Sequence, residues 1–183
     1  MQIVGLTGAA GAGKDTVADY LQETEGFTQY AFAWPVKKAA SEKFGVPISA
    51  FEDPEQKDQV IERWGLTPRQ MAEYEGTECG REFYGFDIWI IRAEVALEMV
   101  KASTSPPQGF VVSDVRFNNE AEWIHRHGGT VIEVYRLDAT SVTAHKSASG
   151  IDPGLVDTTV INRSGDLPST FSAVDRILAS ASL

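Results

Sequence analysis

Apolar positions along this chain fall into short continuous runs separated by stretches in which they recur every three or four residues. The first run, Ile3-Val4-Gly5-Leu6, predicts a short strand over residues 2–6. From Asp15 to about Thr24 the repeat becomes helical, with Val17, Tyr20 and Leu21 on one face. Phe27 to Ala33 reads as a second strand. Pro35 then opens a helix that carries Val36, Ala39, Ala40 and Phe44 and stops at Gly45. A longer helix is expected from Asp87 to Ala102, where Ile88, Ile91, Val95, Met99 and Ala102 recur at helical spacing. Phe110-Val111-Val112 is an uninterrupted apolar strand ending at Ser113-Asp114. The helix after it bears Phe117, Ala121 and Ile124 and ends at Gly128-Gly129. Val131 to Tyr135 and Thr158 to Ile161 are two further strands, and Leu167, Phe171, Val174 and Leu178 align on a terminal helix.

Strands that alternate with helices imply right-handed crossovers and a parallel sheet covered on both faces. The expected fold class is therefore α/β: three layers, α/β/α, around a mostly parallel five-stranded sheet. The chain has 183 residues, a length that suits one domain, 1–183. Between Val46 and Gly85 the periodicity weakens and polarity rises, so a small inserted substrate-binding lobe is expected at 46–85. Within it, Thr67-Pro68-Arg69 has the form of an N-cap, a first-turn proline and a helix start. Ligands of such sheets lie beyond the carboxyl ends of the strands. Gly8 to Lys14, Ala33-Trp34, Asp114-Val115-Arg116 and Arg136 all follow strands and should meet at that edge.

The chemistry most legible in the chain is Gly8-Ala9-Ala10-Gly11-Ala12-Gly13-Lys14-Asp15-Thr16, set between the first strand and the first helix. Glycines allow the backbone to turn tightly and bring its N–H groups onto an anion, and the helix opening near Lys14 aims its positive end there. Lys14 would reach the outer phosphates as a mobile charge. In the usual form of this loop Ser or Thr follows the lysine and binds Mg²⁺; here Asp15 follows and Thr16 comes one place later. A carboxylate is also a hard ligand suited to Mg²⁺. The competing reading is a glycine-rich turn that binds nothing. Asp114 ends a buried strand where a second Mg²⁺-organising carboxylate belongs in nucleotide-triphosphate enzymes, and Arg116 could hold a phosphate with a bidentate fork. An Asp114–Arg116 pair that merely finishes a loop is the alternative. Arg69 and Arg81 are weaker signals. Trp34 and Trp89 could stack on a base or belong to the core. His125 and His127 are expected to face solvent.

A formal net charge of −10 excludes an extended nucleic-acid surface, which needs clustered Lys and Arg, while leaving room for one local basic pocket. Cys79 is the single cysteine and suits a reducing cytosol. Neither a signal peptide nor a bilayer-spanning apolar run is read, so the expected location is cytoplasmic, with no membrane partner.

Taken together, several stretches resemble one family. Gly13-Lys14-Asp15-Thr16, Phe32-Ala33-x-Pro35-Val36-Lys37, Pro68-Arg69-Gln70 followed by Gly76-Thr77-Glu78, Asp87-Ile88-Trp89, Asp114-Val115-Arg116-Phe117-x-x-Glu120, Gly128-Gly129-Thr130-Val131-Ile132 and Asn162 occur in that order over nearly the whole chain. They are similar to the bacteriophage-type deoxynucleoside monophosphate kinases, within the P-loop nucleoside monophosphate kinase group. The resemblance implies a P-loop NTPase fold and transfer of the γ-phosphoryl of ATP to a deoxynucleoside 5′-monophosphate, with Mg²⁺. Carried over by residue, Gly11, Gly13, Lys14, Asp15, Thr16 and Arg136 would serve ATP, with Asp15 and Thr16 at the metal. Arg69, Gly76, Thr77, Trp89, Asp114, Arg116 and Glu120 would serve the acceptor, and Lys14, Asp114 and Arg116 the transfer itself. Arg136 would belong to a lid-like segment, 136–150. The family also implies a homodimer, which no surface pattern in the sequence derives, and the cytoplasm of a host cell if the gene is carried by a phage. Trp34 stands where relatives carry a small or acidic residue, and Ala148 stands where the stretch His145-x-Ser147 continues with Glu, so His145 receives no role. A P-loop kinase for another small acceptor such as dephospho-coenzyme A, and a non-catalytic nucleotide-binding module, are the two other readings.

Overall fold

The computed structural model describes residues 1–137, 150–163 and 165–180. Five strands form one sheet, β1 (Gln2–Thr7), β2 (Phe27–Tyr30), β3 (Gly109–Val112), β4 (Thr130–Arg136) and β5 (Thr158–Asn162), in the order β2-β3-β1-β4-β5. Every neighbouring pair is parallel. The chain leaves β1 toward β2 on one side and leaves β3 toward β4 on the other. The switch in direction falls between β1 and β3, where such sheets open a crevice at their carboxyl ends.

The chain divides into two compact units, Met1–Ala31 with Ala96–Leu183, and Phe32–Val95. In the first, α1 (Lys14–Glu25) and α7 (Leu167–Ser180) cover one face of the sheet. Val17, Ala18 and Leu21 of α1 and Val174 and Leu178 of α7 join Val4, Leu6, Val111, Ile132, Val134 and Val160 in one core. Each fully buried aliphatic side chain in that core contributes about 1.5–3 kcal/mol to the favourable side of folding. Tyr20 stacks on Phe171 with ring centroids 4.0 Å apart and donates to Asp175, which ties α1 to α7 at the surface. On the opposite face, α6 (Asn118–Arg126) comes so close to β1 that a Cβ on Gly5 would meet Val115 and Ile124 at 3.0 Å.

The second unit holds α2 (Ala33–Phe44), α3 (Ile48–Glu52), α4 (Pro68–Gly76), a π-helical turn at Thr77–Glu82 and the first part of α5 (Ile88–Lys101). Residues 46–85 lie within it, together with α2 and the start of α5. Ala40, Val46, Ala50, Phe51 and Met71 form its own core, with Phe44, Ile61, Leu66 and Ala72 packed against them. The start of α4 has the cap its sequence predicts: Thr67 Oγ1 accepts from the Gln70 N–H at 3.1 Å and Gln70 Oε1 accepts from the Thr67 N–H at 2.9 Å, with Pro68 in the first turn.

Several expectations change. β2 ends at Tyr30 rather than Ala33, because Ala33 already opens α2. On α5 the buried stripe is Trp89, Ala93 and Leu97, together with Ile90, whereas Ile91, Val95 and Met99 are exposed. Both stripes repeat every four residues, and a helix that is apolar on several sides does not announce which one faces the core. His125 and His127 are half-buried rather than solvent-facing, since His125 Nε2 meets Asp157 Oδ2 and His127 Nδ1 meets the Trp123 carbonyl, both at 2.9 Å. Most of the 136–150 segment, His145 included, lies outside the described residues. No helix among the described residues is long and apolar enough to cross a membrane.

Candidate active site

The loop that follows β1 is fixed by its neighbours in the sheet. Gly8 has φ 133° and lies so close to β4 that a Cβ there would fall 2.3 Å from the Val134 carbonyl oxygen. Gly13, the N-cap of α1, is left-handed at φ 101°. Glycine is the residue that adopts these angles without a Cβ penalty, so sequence and loop shape are directly linked here. Lys14 folds its ammonium back over the loop and donates to the carbonyls of Gly8 and Ala9, each at 2.9 Å. Arg136, at the end of β4, donates through Nη1 to the Gly11 carbonyl at 3.1 Å. Asn162, at the end of β5, is buried and donates through Nδ2 to the Ala12 carbonyl at 2.8 Å.

Beside this loop the chain leaving β3 turns back over β1, with the Val115 N–H bonded to the Leu6 carbonyl at 3.0 Å. The turn is held from α6: Glu120, itself buried, accepts at one carboxylate oxygen from the N–H groups of Arg116 and Phe117, at 2.7 and 3.1 Å. Asp114 is buried and Arg116 exposed. The charges converge on Lys14, whose pKa lies below the ordinary lysine value. Burial is the main cause and the Arg116 guanidinium the next, with Asp15 and Asp114 pulling the other way. Asp15 is exposed and Thr16 half-buried in the first turn of α1. In this unit the structure therefore brings Gly11, Gly13, Lys14, Asp15, Thr16, Asp114, Arg116 and Arg136 around one loop. Glu120 faces the backbone of the turn that carries Arg116.

In the second unit, Arg69 forms a forked ion pair with Asp58, Nε to Oδ1 at 2.5 Å and Nη2 to Oδ2 at 3.1 Å, both side chains about half exposed. The Trp89 indole is buried and its N–H donates to the Gly76 carbonyl at 2.9 Å. Its ring fills the space beside Gly80, where a Cβ would fall 2.8 Å from the ring edge. Gly76 is buried against Val36, and Thr77 is exposed in the π-helical turn. Trp34 is exposed at the start of α2. Lys43 pairs with Glu75 and lies 3.5 Å from Cys79 Sγ.

Two contacts around these residues escaped the sequence reading. Asn162 entered only as a matching letter, and Asp58 not at all. A buried amide at the carboxyl end of a strand that neighbours the loop strand was the available signal for the first. For Asp58, in a polar stretch rich in acids, there was none.

No family model matches the chain. A crystal structure of a Thermus thermophilus protein shares the fold, with a TM-score of 0.53 and 18% identity over 98% of this chain and 97% of that one. A candidate deoxynucleotide monophosphate kinase of Acanthamoeba polyphaga mimivirus is 35% identical over 163 residues, 80% of this chain and 80% of that protein. The deoxynucleoside-5′-monophosphate kinase of Escherichia phage T5 is 25% identical across 88% of this chain and 89% of its own length. The mimivirus likeness, at 35% identity over four fifths of both proteins, places the chain in a family: it belongs to the deoxynucleoside monophosphate kinases.

Proposed function

We propose that this chain transfers the γ-phosphoryl of ATP to a deoxynucleoside 5′-monophosphate, giving ADP and the deoxynucleoside diphosphate. The observation that carries this reading is the loop from Gly8 to Lys14 between β1 and α1, in a chain whose mimivirus and phage relatives are named for that activity. Phosphoryl transfer asks little covalent chemistry of a protein. It requires two anionic substrates held in line and positive charge to match what spreads over the moving group.

Lys14 and the N–H groups of Gly11, Gly13 and the first turn of α1 would hold the ATP phosphates. Arg136 would add charge beside them, and Arg116 would neutralise the group in transfer. Arg69 would take the acceptor's phosphate in place of the Asp58 carboxylate, and Gly76 and Thr77 would line its pocket. Trp89, whose indole edge is committed to the Gly76 carbonyl, would act as a wall for the base. Asp114 and Glu120 would serve the acceptor side, Asp114 also as an organiser of charge at the transfer. Among the described residues no group of three or more His, Cys, Asp or Glu could hold a metal ion by itself. The Asp15 carboxylate and Thr16 hydroxyl, both in the first turn of α1, are hard oxygen donors that fit Mg²⁺, which is commonly held by one or two carboxylates together with substrate phosphates and water. Asp15 and Thr16 would hold it, and the ion when bound neutralises charge on the polyphosphate.

The proposed setting is the cytoplasm, of a host cell if the gene is phage-borne. A homodimer is proposed on the family resemblance alone. Neither the dephospho-coenzyme A kinase nor the non-catalytic module has an observation in its favour. An ADP-release assay with Mg-ATP over the deoxynucleoside monophosphates, their ribose counterparts and dephospho-coenzyme A tests the reading. Turnover that depends on a deoxynucleoside monophosphate is expected. ADP release indifferent to acceptor, or raised only by dephospho-coenzyme A, would overturn it.

A further inference from the structure

Four carbonyls of the phosphate loop are each taken by a side-chain donor: Gly8 and Ala9 by Lys14, Gly11 by Arg136 and Ala12 by Asn162. A carbonyl turned toward a polyphosphate repels it, whereas an N–H turned toward it attracts, so which way each peptide faces decides whether the loop binds an anion. Lys14 leaves these carbonyls when it reaches for a phosphate. Asn162 has no such second duty. Its amide is buried at the end of β5, and because the group it meets is an acceptor, the atom that meets it must be the nitrogen.

We infer that Asn162 is a positioning residue for ATP binding, acting by fixing the orientation of the Ala12–Gly13 peptide. The backbone has no cis peptide bonds, and in a trans peptide the carbonyl and the following N–H point in opposite directions. With the Ala12 carbonyl held against Asn162, the Gly13 N–H is aimed away from β5. Asn162 also leaves room only for glycine at position 13, since a Cβ there would fall 2.3 Å from Asn162 Nδ2. Asn162 stands in register with Arg136 on β4, so adjacent strand ends hold the adjacent carbonyls of Ala12 and Gly11. The last strand of the sheet thereby reaches a loop 150 residues earlier in the chain.

This inference rests on the loop being the ATP phosphate site, and the test separates the two claims. Asn162→Ser shortens the donor beyond reach of the Ala12 carbonyl, and Asn162→Asp keeps the shape but presents a carboxylate to it. ATP affinity is measured by titration calorimetry, KM for ATP and for the acceptor in steady-state turnover, and melting temperature alongside. ATP affinity is expected to fall about tenfold in Asn162→Ser and further in Asn162→Asp, with the acceptor KM within about twofold of wild type. As pH is lowered toward the carboxyl range, Asn162→Asp regains a donating O–H and its affinity relative to wild type recovers, a response that mere packing would not give. Unchanged ATP affinity in Asn162→Ser overturns the inference, as does a loss shared equally by ATP and acceptor together with a lowered melting temperature. Asn162→Ser decides alone if Asn162→Asp does not fold. A wild type that binds ATP without acceptor-dependent turnover sinks the kinase reading, while the ATP titration still judges Asn162.

Discussion

Lys14 is the residue on which the electrostatics of the first unit converge. Its ammonium is parked on two loop carbonyls, and burial and Arg116 both favour its neutral form. A polyphosphate would reverse that balance by supplying negative charge where the protein supplies positive. Lys14→Ala is therefore expected to lower turnover by orders of magnitude while leaving the fold intact, checked by the ADP-release rate beside circular dichroism. The pH dependence has a definite sign. A group whose pKa is depressed in the free protein and raised by an anionic ligand takes up a proton on binding, so ATP affinity falls as pH rises through the depressed value. Loss of ATP affinity should set in at lower pH than the ordinary lysine value of 10.5 would give. Lys14→Arg stays charged over that range and should show a flatter profile in the same titration. A Lys14→Ala enzyme of near-normal rate would remove the loop from the mechanism.

At the scale of elements, the turn between β3 and α6 is held by a buried carboxylate. Glu120 accepts the N–H groups of Arg116 and Phe117, which lie ahead of the first turn of α6, where no intrahelical carbonyl reaches them. Glu120→Ala should destabilise the protein by about 1–3 kcal/mol, from the lost hydrogen bonds and the cavity together, read as a lower melting temperature. Glu120→Gln, which retains an acceptor oxygen, should lose less. The same elements explain what the sequence disclosed. The loop and α1 were legible because their whole signal, glycines then a lysine at a helix start, is local. The Thr67 cap was legible for the same reason. The buried stripe of α5 was not, because Trp89, Ala93 and Leu97 and Ile91, Val95 and Met99 carry the same period, and only packing chooses between them. Nor was the Trp89 indole bond to Gly76, or the partnership of Ala12 with Asn162, since both depend on residues brought together from distant positions. The extent of the second unit was hidden because its first boundary lies ahead of a well-formed helix, α2, which the alternating pattern assigns to the sheet layers.

For the molecule as a whole, the formal charge of −10 opposes both proposed substrates, which are anions. Binding must then come from local donors acting at short range, because the far field of the protein repels. The proposal distributes those donors unevenly: the ATP groups sit in Met1–Ala31 and Ala96–Leu183, while Arg69, Gly76, Thr77 and Trp89 sit in Phe32–Val95. A ligand stabilises most the segments whose opening it must precede, so each substrate should leave its own hydrogen-exchange signature. ATP is expected to slow amide exchange in residues 8–16, and either substrate in the turn at 114–116. A deoxynucleoside monophosphate alone should slow it in Pro68–Gly76 and Thr77–Glu82, and Arg69→Ala should erase that second pattern without altering the first. Double-stranded DNA, facing the same repulsion without a matching cradle, should change neither. Protection by the monophosphate confined to the glycine loop would mean that one site takes both anions, and the assignment of acceptor binding to the second unit would fall.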